Sequence, residues 1–179
     1  MEIKRAWAMP NKQTFSIKPI KELILKYVGA NKQLRIIDPF ANSCCLEEEI
    51  KQHGHKYISN DIDTQFQTDF HLDAGEFLCM QDSNSADIVL FDPPYSPRQV
   101  SECYKRLEKT VTQYDTSSAY YSDFKKQIAR VIKPSGVCIS CGWNTNGIGK
   151  QNGFEIIEVL IVAHGGAHND TLVVVERKV

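Results

Sequence analysis

Asp92-Pro93-Pro94-Tyr95 follows directly on the apolar run Ile88-Val89-Leu90-Phe91. Two consecutive prolines fix φ and remove two backbone donors, so the turn is rigid and rich in acceptors. It offers the Asp92 carboxylate and free carbonyls, with the Tyr95 ring held next to them. A planar group bearing an NH2 suits that set. The acceptors take its two N–H bonds while the ring stacks on its face. Such an amine is a poor nucleophile because its lone pair is delocalised into the ring. Acceptors on both protons favour a pyramidal nitrogen, which frees the lone pair for attack. A proline-rich turn with a packed tyrosine is the plainer alternative; the strand directly before the motif favours the chemical one.

The second unusual segment is Asp38-Pro39-Phe40-Ala41-Asn42-Ser43-Cys44-Cys45, after the short apolar run at 34–37. Both segments must be positioned by strands, and the pattern around them is strand and helix in alternation. Ile20, Leu23, Ile24, Tyr27 and Val28 recur at helical spacing, with Pro19 suited to a first turn. Helices are also expected over 46–53, stopped at Gly54; over 73–80, with Asp73 as N-cap and Glu76 three positions later; and over 99–111 and 121–132. Strands are expected at 34–38, 56–59, 88–91 and 137–140, with Pro134-Ser135-Gly136 as a turn. Residues 155–163 and 171–176 form two β-rich runs with no helix between them, so they should pair antiparallel. The expected fold is an open, mostly parallel α/β sheet with an antiparallel strand at its C-terminal end. In such a sheet ligands bind beyond the carboxyl ends of the strands, where both unusual segments sit.

The chain has 179 residues, 42% of them hydrophobic and 24% charged, which fits a single globular domain and excludes a disordered or fibrous chain. No stretch approaches a membrane span, and residues 1–10 lack the apolar region of a secretory signal. Six cysteines are too few for a disulfide scaffold and read as reduced thiols of a cytoplasmic protein. The net charge is −1. Residues 1–35 nevertheless carry eight basic side chains against two acidic ones, a candidate phosphate-contacting edge or a solvated face.

Asp92-Pro93-Pro94-Tyr95 looks like the catalytic motif of the amino-methyltransferases that use S-adenosylmethionine, especially the DNA adenine-N6 group. The resemblance covers Phe15 to Val179. Ser16-Ile17-Lys18-Pro19 resembles the segment that precedes the cofactor motif and lies against the methionine part. Asp38-Pro39-Phe40-Ala41-Asn42-Ser43-Cys44 resembles the Asp-Pro-Phe-x-Gly-Ser-Gly cofactor loop. Asp61, with Ile62 beside it, matches the acid that binds ribose hydroxyls, and Asp73-Ala74 matches the pair that meets the cofactor adenine. The resemblance implies a Rossmann-like class I methyltransferase fold: a mostly parallel seven-stranded sheet with an antiparallel C-terminal strand and helices on both faces. It implies one methyltransferase domain over 1–179, with 1–17 as an N-terminal arm and no separate target-recognition domain. The implied cofactor is S-adenosyl-L-methionine and the implied partner is DNA. Target recognition would fall to the 96–123 segment, the basic arm, a second subunit or a homodimer. The cytosine-N4 group usually has Ser in place of Asp92, which favours adenine; an RNA acceptor and a catalytically weak supporting subunit are the alternatives.

Asn42 and Cys44 stand where the family has glycines. Asn tolerates positive φ, whereas a side chain at Cys44 is expected to crowd the methionine end of the cofactor. Among weaker candidates, Ser96, Arg98, Trp143 and His168 could touch substrate, and Lys105 phosphate. Asn11 and Lys12 could close over the cofactor together with Phe15 and Ser16. Cys138 and Cys141 have metal-ligand spacing, but buried thiols are the default and no metal is expected. His164, His168 and Asp170 share one Gly-rich loop whose ordinary reading is a solvated turn.

Overall fold

The structure is a computed structural model, and it describes residues 1–29, 32–166 and 168–179. Seven strands form one sheet: β1 (Glu2–Trp7), β2 (Arg35–Asp38), β3 (Lys56–Ser59), β4 (Ala86–Phe91), β5 (Ile132–Gly142), β6 (Phe154–Ala163) and β7 (Thr171–Lys178). Their order is β1-β6-β7-β5-β4-β2-β3. β7 runs antiparallel to both β5 and β6, and every other pairing is parallel. The helices are α1 (Lys18–Val28), α2 (Glu47–Gln52), α3 (Ala74–Met80), α4 (Pro97–Arg106) and α5 (Ser118–Val131).

Successive strand residues point to opposite faces, and each face is roofed by different helices. Ile36, Ile88 and Leu90 pack with Ile20, Leu23 and Ile24 of α1 and Ile50 of α2. Ile37, Val89 and Phe91 pack with Phe77 and Leu78 of α3 and Phe124 and Ile128 of α5. β2 and β4, apolar on both faces, are therefore central strands. They are neighbours, with Ile36 opposite Ile88 and Ile37 opposite Val89. β3 lies on the far side of β2, so the strand order reverses beside β2 and leaves a crevice at its carboxyl end.

Three sequence expectations change. Residues 2–7, read as part of an arm, form the edge strand β1, parallel to β6 from Glu2 opposite Glu158 to Trp7 opposite Ala163. Its residues are mostly exposed, so it carries no alternating pattern to announce it. The helix expected over 99–111 ends at Arg106, and Glu108 turns to φ 56° before the β-branched residues at 110–112. Pro134-Ser135-Gly136 lies within β5 as an irregularity rather than ending it: Ser135 has φ 64°, and the register against β4 shifts between Ala86 and Ile88. Among the described residues no helix is long and apolar enough to cross a membrane.

β1 is fastened through Glu158 on β6, whose side chain is 1% exposed. It accepts from Lys4 Nζ at 3.0 Å, Lys26 Nζ at 2.6 Å and the Tyr27 hydroxyl at 2.6 Å. Burial alone would raise its pKa, but the hydrogen bonds from Lys26, Tyr27 and Lys4 override it and hold the carboxyl at about 2. A carboxyl depressed on folding stabilises the native state above its unfolded pKa. That stability, on the order of 3 kcal/mol, should be lost as pH falls from about 4.5 to about 2. Denaturant melts of wild type and Glu158→Gln across this range should converge at the acid end; parallel curves would contradict the assignment.

Candidate active site

The carboxyl ends of β2, β3 and β4 deliver three acidic segments to one cavity of about 370 Å³. Its walls include Pro39, Phe40, Asn42, Ser43, Asp61, Ile62, Asp73, Ala74 and the Asp92–Tyr95 turn, which the sequence marked for cofactor and catalysis. Phe15 also lines it, with Asn11, Lys12 and Thr14 from the segment before α1.

The loop after β2 takes its shape from hydrogen bonds to carboxylates. Asp38 is fully buried and lies outside the cavity lining. It accepts from the Phe40 N–H at 3.1 Å and the Tyr57 hydroxyl at 2.7 Å, and burial pushes its carboxyl up to about 7. Asp38 thus orients the loop rather than touching what the cavity holds. Asp61 faces the cavity and accepts from the N–H of Asn42 and of Asp63, each at 2.9 Å. Burial raises its pKa.

Asn42 and Cys44 both adopt the left-handed conformation, with φ of 48° and 52°. The backbone there has the shape that glycine would favour. Cys44, expected to crowd the methionine end of the cofactor, does not line the cavity. Its side chain is buried with Sγ 3.6 Å from the Gln67 carbonyl, and Cys45 lines the cavity instead.

Asp73 caps α3 through Gly75 N–H at 2.8 Å, as the sequence indicated. Its other oxygen accepts from the hydroxyls of Tyr104 at 3.1 Å and Tyr120 at 3.4 Å. Both tyrosines line the cavity and were not singled out in the sequence, because they come from two helices, 31 and 47 residues away in the chain.

At the Asp92–Tyr95 turn, the Tyr95 hydroxyl donates to Asp92 Oδ1. Burial raises the Asp92 pKa, opposed by hydrogen bonds from the Tyr95 and Thr14 hydroxyls. The Pro94 carbonyl accepts from the Tyr121 hydroxyl at 2.5 Å, and the Tyr95 N–H donates to Gln99 Oε1 at 2.6 Å. The turn is therefore held from α4 and α5 as well as by its prolines.

Ser16 and Lys18 lie outside the lining. The Ser16 hydroxyl donates to the Gln13 carbonyl at 2.7 Å, and exposed Lys18 pairs with Glu22. Ser96 caps α4, accepting from the Gln99 N–H at 3.3 Å, and exposed Arg98 pairs with Glu102 at 2.7 Å. Trp143 and His168 instead meet Tyr95 around a neighbouring cavity of about 280 Å³. Trp143 sits edge-on to Tyr95, ring centroids 5.6 Å apart. His164 is structural: its Nδ1 faces the Ala8 carbonyl and its Nε2 the Thr171 hydroxyl, each at 2.8 Å. Ala167 of the same loop lies outside the described residues. Cys138 and Cys141 are buried free thiols, and no metal-binding cluster exists among the described residues.

No family model matches the sequence, and no curated protein does. Solved structures do. A 1,6-didemethyltoxoflavin-N1-methyltransferase from Burkholderia thailandensis, bound to 1,6-didemethyltoxoflavin and S-adenosylhomocysteine, superposes with a TM-score of 0.64 at 11% identity, over 90% of this chain and 77% of that one. TrmN from Thermus thermophilus matches with a TM-score of 0.62 at 18% identity, over 91% of this chain and 49% of that one. This chain thus spans about half the length of TrmN. A SAM-dependent methyltransferase from Archaeoglobus fulgidus matches with a TM-score of 0.63 at 11% identity, over 90% and 94%. The fold is that of the class I S-adenosylmethionine-dependent methyltransferases. The expected Rossmann-like sheet is borne out, including its seven strands and its antiparallel C-terminal strand. The seventh strand, however, is β1 at the edge. Between β3 and α3 the chain adds only a single bridge, Asn60 to Phe70.

Proposed function

We propose that this chain transfers a methyl group from S-adenosylmethionine to the N6 amine of adenine in DNA. The observation that carries this reading is the Asp92–Tyr95 turn, which forms a wall of the strand-end cavity with a carboxylate and an aromatic ring. The cavity fits the cofactor chemically. Asp61, Asp73 and Asp92 suit a cationic ligand with hydroxyls and an amino group, and Phe40 offers an apolar face. Three carboxylates and a loop with side chains at Asn42 and Cys44 suit a nicotinamide diphosphate poorly. The methyltransferase fold supports the same cofactor, and one structural neighbour holds its demethylated product.

S-Adenosylmethionine supplies an electrophilic methyl group on a positively charged sulfur. Asp61 would receive the ribose hydroxyls, and Asp73 the cofactor's amino group, with the Ala74 backbone beside it. The loop at 39–44, held by Asp38, would take the methionine end, with Phe15 closing over it. Asp92 and the Pro93 carbonyl would accept the two N–H bonds of the target amine while Tyr95 stacks on the base. The Tyr95 hydroxyl now occupies Asp92 Oδ1, so the target amine must take its place there. Methylated nitrogen is strongly acidic, so Asp92 need only receive its proton late and need not be a strong base. In duplex DNA the base must first be flipped out. The rest of the catalysis is positioning, which the rigid turn provides.

Incubation with methyl-labelled cofactor and adenine-containing DNA, followed by digestion to nucleosides, tests this. Label in N6-methyldeoxyadenosine is expected. Label only in cytosine, or in RNA offered alongside, would overturn the acceptor assignment.

A further inference from the structure

The catalytic turn has a second cavity behind it that the proposed reaction does not use. It measures about 420 Å³ and shares Pro93, Pro94 and Tyr95 with the cofactor-sized cavity. Trp143 lines it and is 42% exposed despite its size. Lys125 of α5 also lines it. Its neighbour Lys126 pairs with Asp123, whereas Lys125 has no ion-pair partner among the described residues. The nearby Glu176 carboxylate is fully buried and already accepts from the N–H groups of Ile148 at 2.5 Å and Gly149 at 2.9 Å. Asn146 and Gln151, both exposed, also line the cavity, and their side-chain amides have no hydrogen-bond partner among the described residues.

An unpaired cation, an exposed indole and unengaged amides around one nucleotide-sized cavity match a phosphate, a base face and base edges respectively. We propose that this second cavity holds the nucleotide next to the target in the acceptor DNA strand, with Trp143 stacking on its base and Lys125 contacting its phosphate. The site rests on the reading of the chain as a DNA methyltransferase. It deepens that reading by giving the strand a grip separate from the catalytic turn.

Fluorescence anisotropy of a labelled single-stranded DNA oligonucleotide tests the site independently of transfer. Trp143→Ala should weaken binding roughly tenfold, and Trp143→Phe should recover most of it. Lys125→Ala should weaken binding several-fold and lower the slope of affinity against salt by about 0.7. Lys126→Ala, one residue away, should change neither. Absence of binding by wild type, or variants at Trp143 and Lys125 that bind like wild type, would overturn the proposal. Methyl transfer measured in parallel separates the two readings. Binding that depends on Lys125 and Trp143 without transfer sinks the enzyme and keeps the site. Transfer that is indifferent to both residues does the reverse.

Discussion

Asp92→Ala should lower methyl transfer to DNA at least about a thousandfold while changing S-adenosylmethionine affinity less than about threefold. The carboxylate lies at the end of β4, where the strand register and two prolines fix it against the cavity. In the proposed reaction it accepts a hydrogen bond from the amine that strengthens as the nitrogen pyramidalises, so its loss falls on the transition state. Asp61 and Asp73, proposed to hold the cofactor, lie on other segments of the cavity wall and survive the substitution. Tyr95→Phe separates a second element, because it removes the hydroxyl that now occupies Asp92 Oδ1 and keeps the stacking ring. A transfer assay paired with calorimetry checks both. Full activity in Asp92→Ala would remove the catalytic assignment.

The largest effect on stability is expected at Gly147. A Cβ there would stand 2.5 Å from the Glu176 carboxyl carbon, and the residue has φ 47°. Overpacking and left-handed strain together cost about 3 kcal/mol. Moving the Glu176 carboxylate aside would also strip buried acceptors from the Ile148 and Gly149 N–H groups. Gly54→Ala is the control. It has φ 80° but nothing within 4 Å of its Cβ, so it pays backbone strain alone, about 1 kcal/mol. Chemical denaturation should separate the two variants by about 2 kcal/mol or more. Equal losses would mean that the 143–149 loop yields around Glu176. Gly147→Ala should also weaken oligonucleotide binding, since the same loop carries Trp143 and Asn146 to the second cavity.

Much of this molecule was legible because its signals are local. β3 falls at 56–59 as expected, since its short apolar run is bounded by Gly54 and Asn60. α1 follows from the spacing of Ile20, Leu23, Ile24 and Val28, all of which are buried. The Asp73 cap is written in the residues that make it. The gathering of Asp61 and Asp73 with Asp92 in one cavity was implied by the family resemblance, while strand order alone brought together only the 38–45 and 92–95 segments. What could not be read depends on distant partners or side-chain direction. β1 is defined by residues 158–163, at the other end of the chain. Asp38 looks like a ligand-facing acid in sequence, yet Tyr57 and the Phe40 N–H turn it inward. Cys44 and Cys45 are indistinguishable as letters, and the left-handed backbone at Cys44 decides which one meets the cavity. Tyr104 and Tyr120 reach Asp73 only because α4 and α5 converge there.

The central claim is that the strand-end cavity binds S-adenosylmethionine. Calorimetric titration of that cofactor into wild type and Asp61→Ala tests it most directly. Micromolar binding by wild type should weaken about a hundredfold in the variant, the loss expected for two hydroxyl hydrogen bonds to a carboxylate. No binding by wild type, or equal affinity in the two proteins, would contradict the claim and favour a supporting subunit over an enzyme.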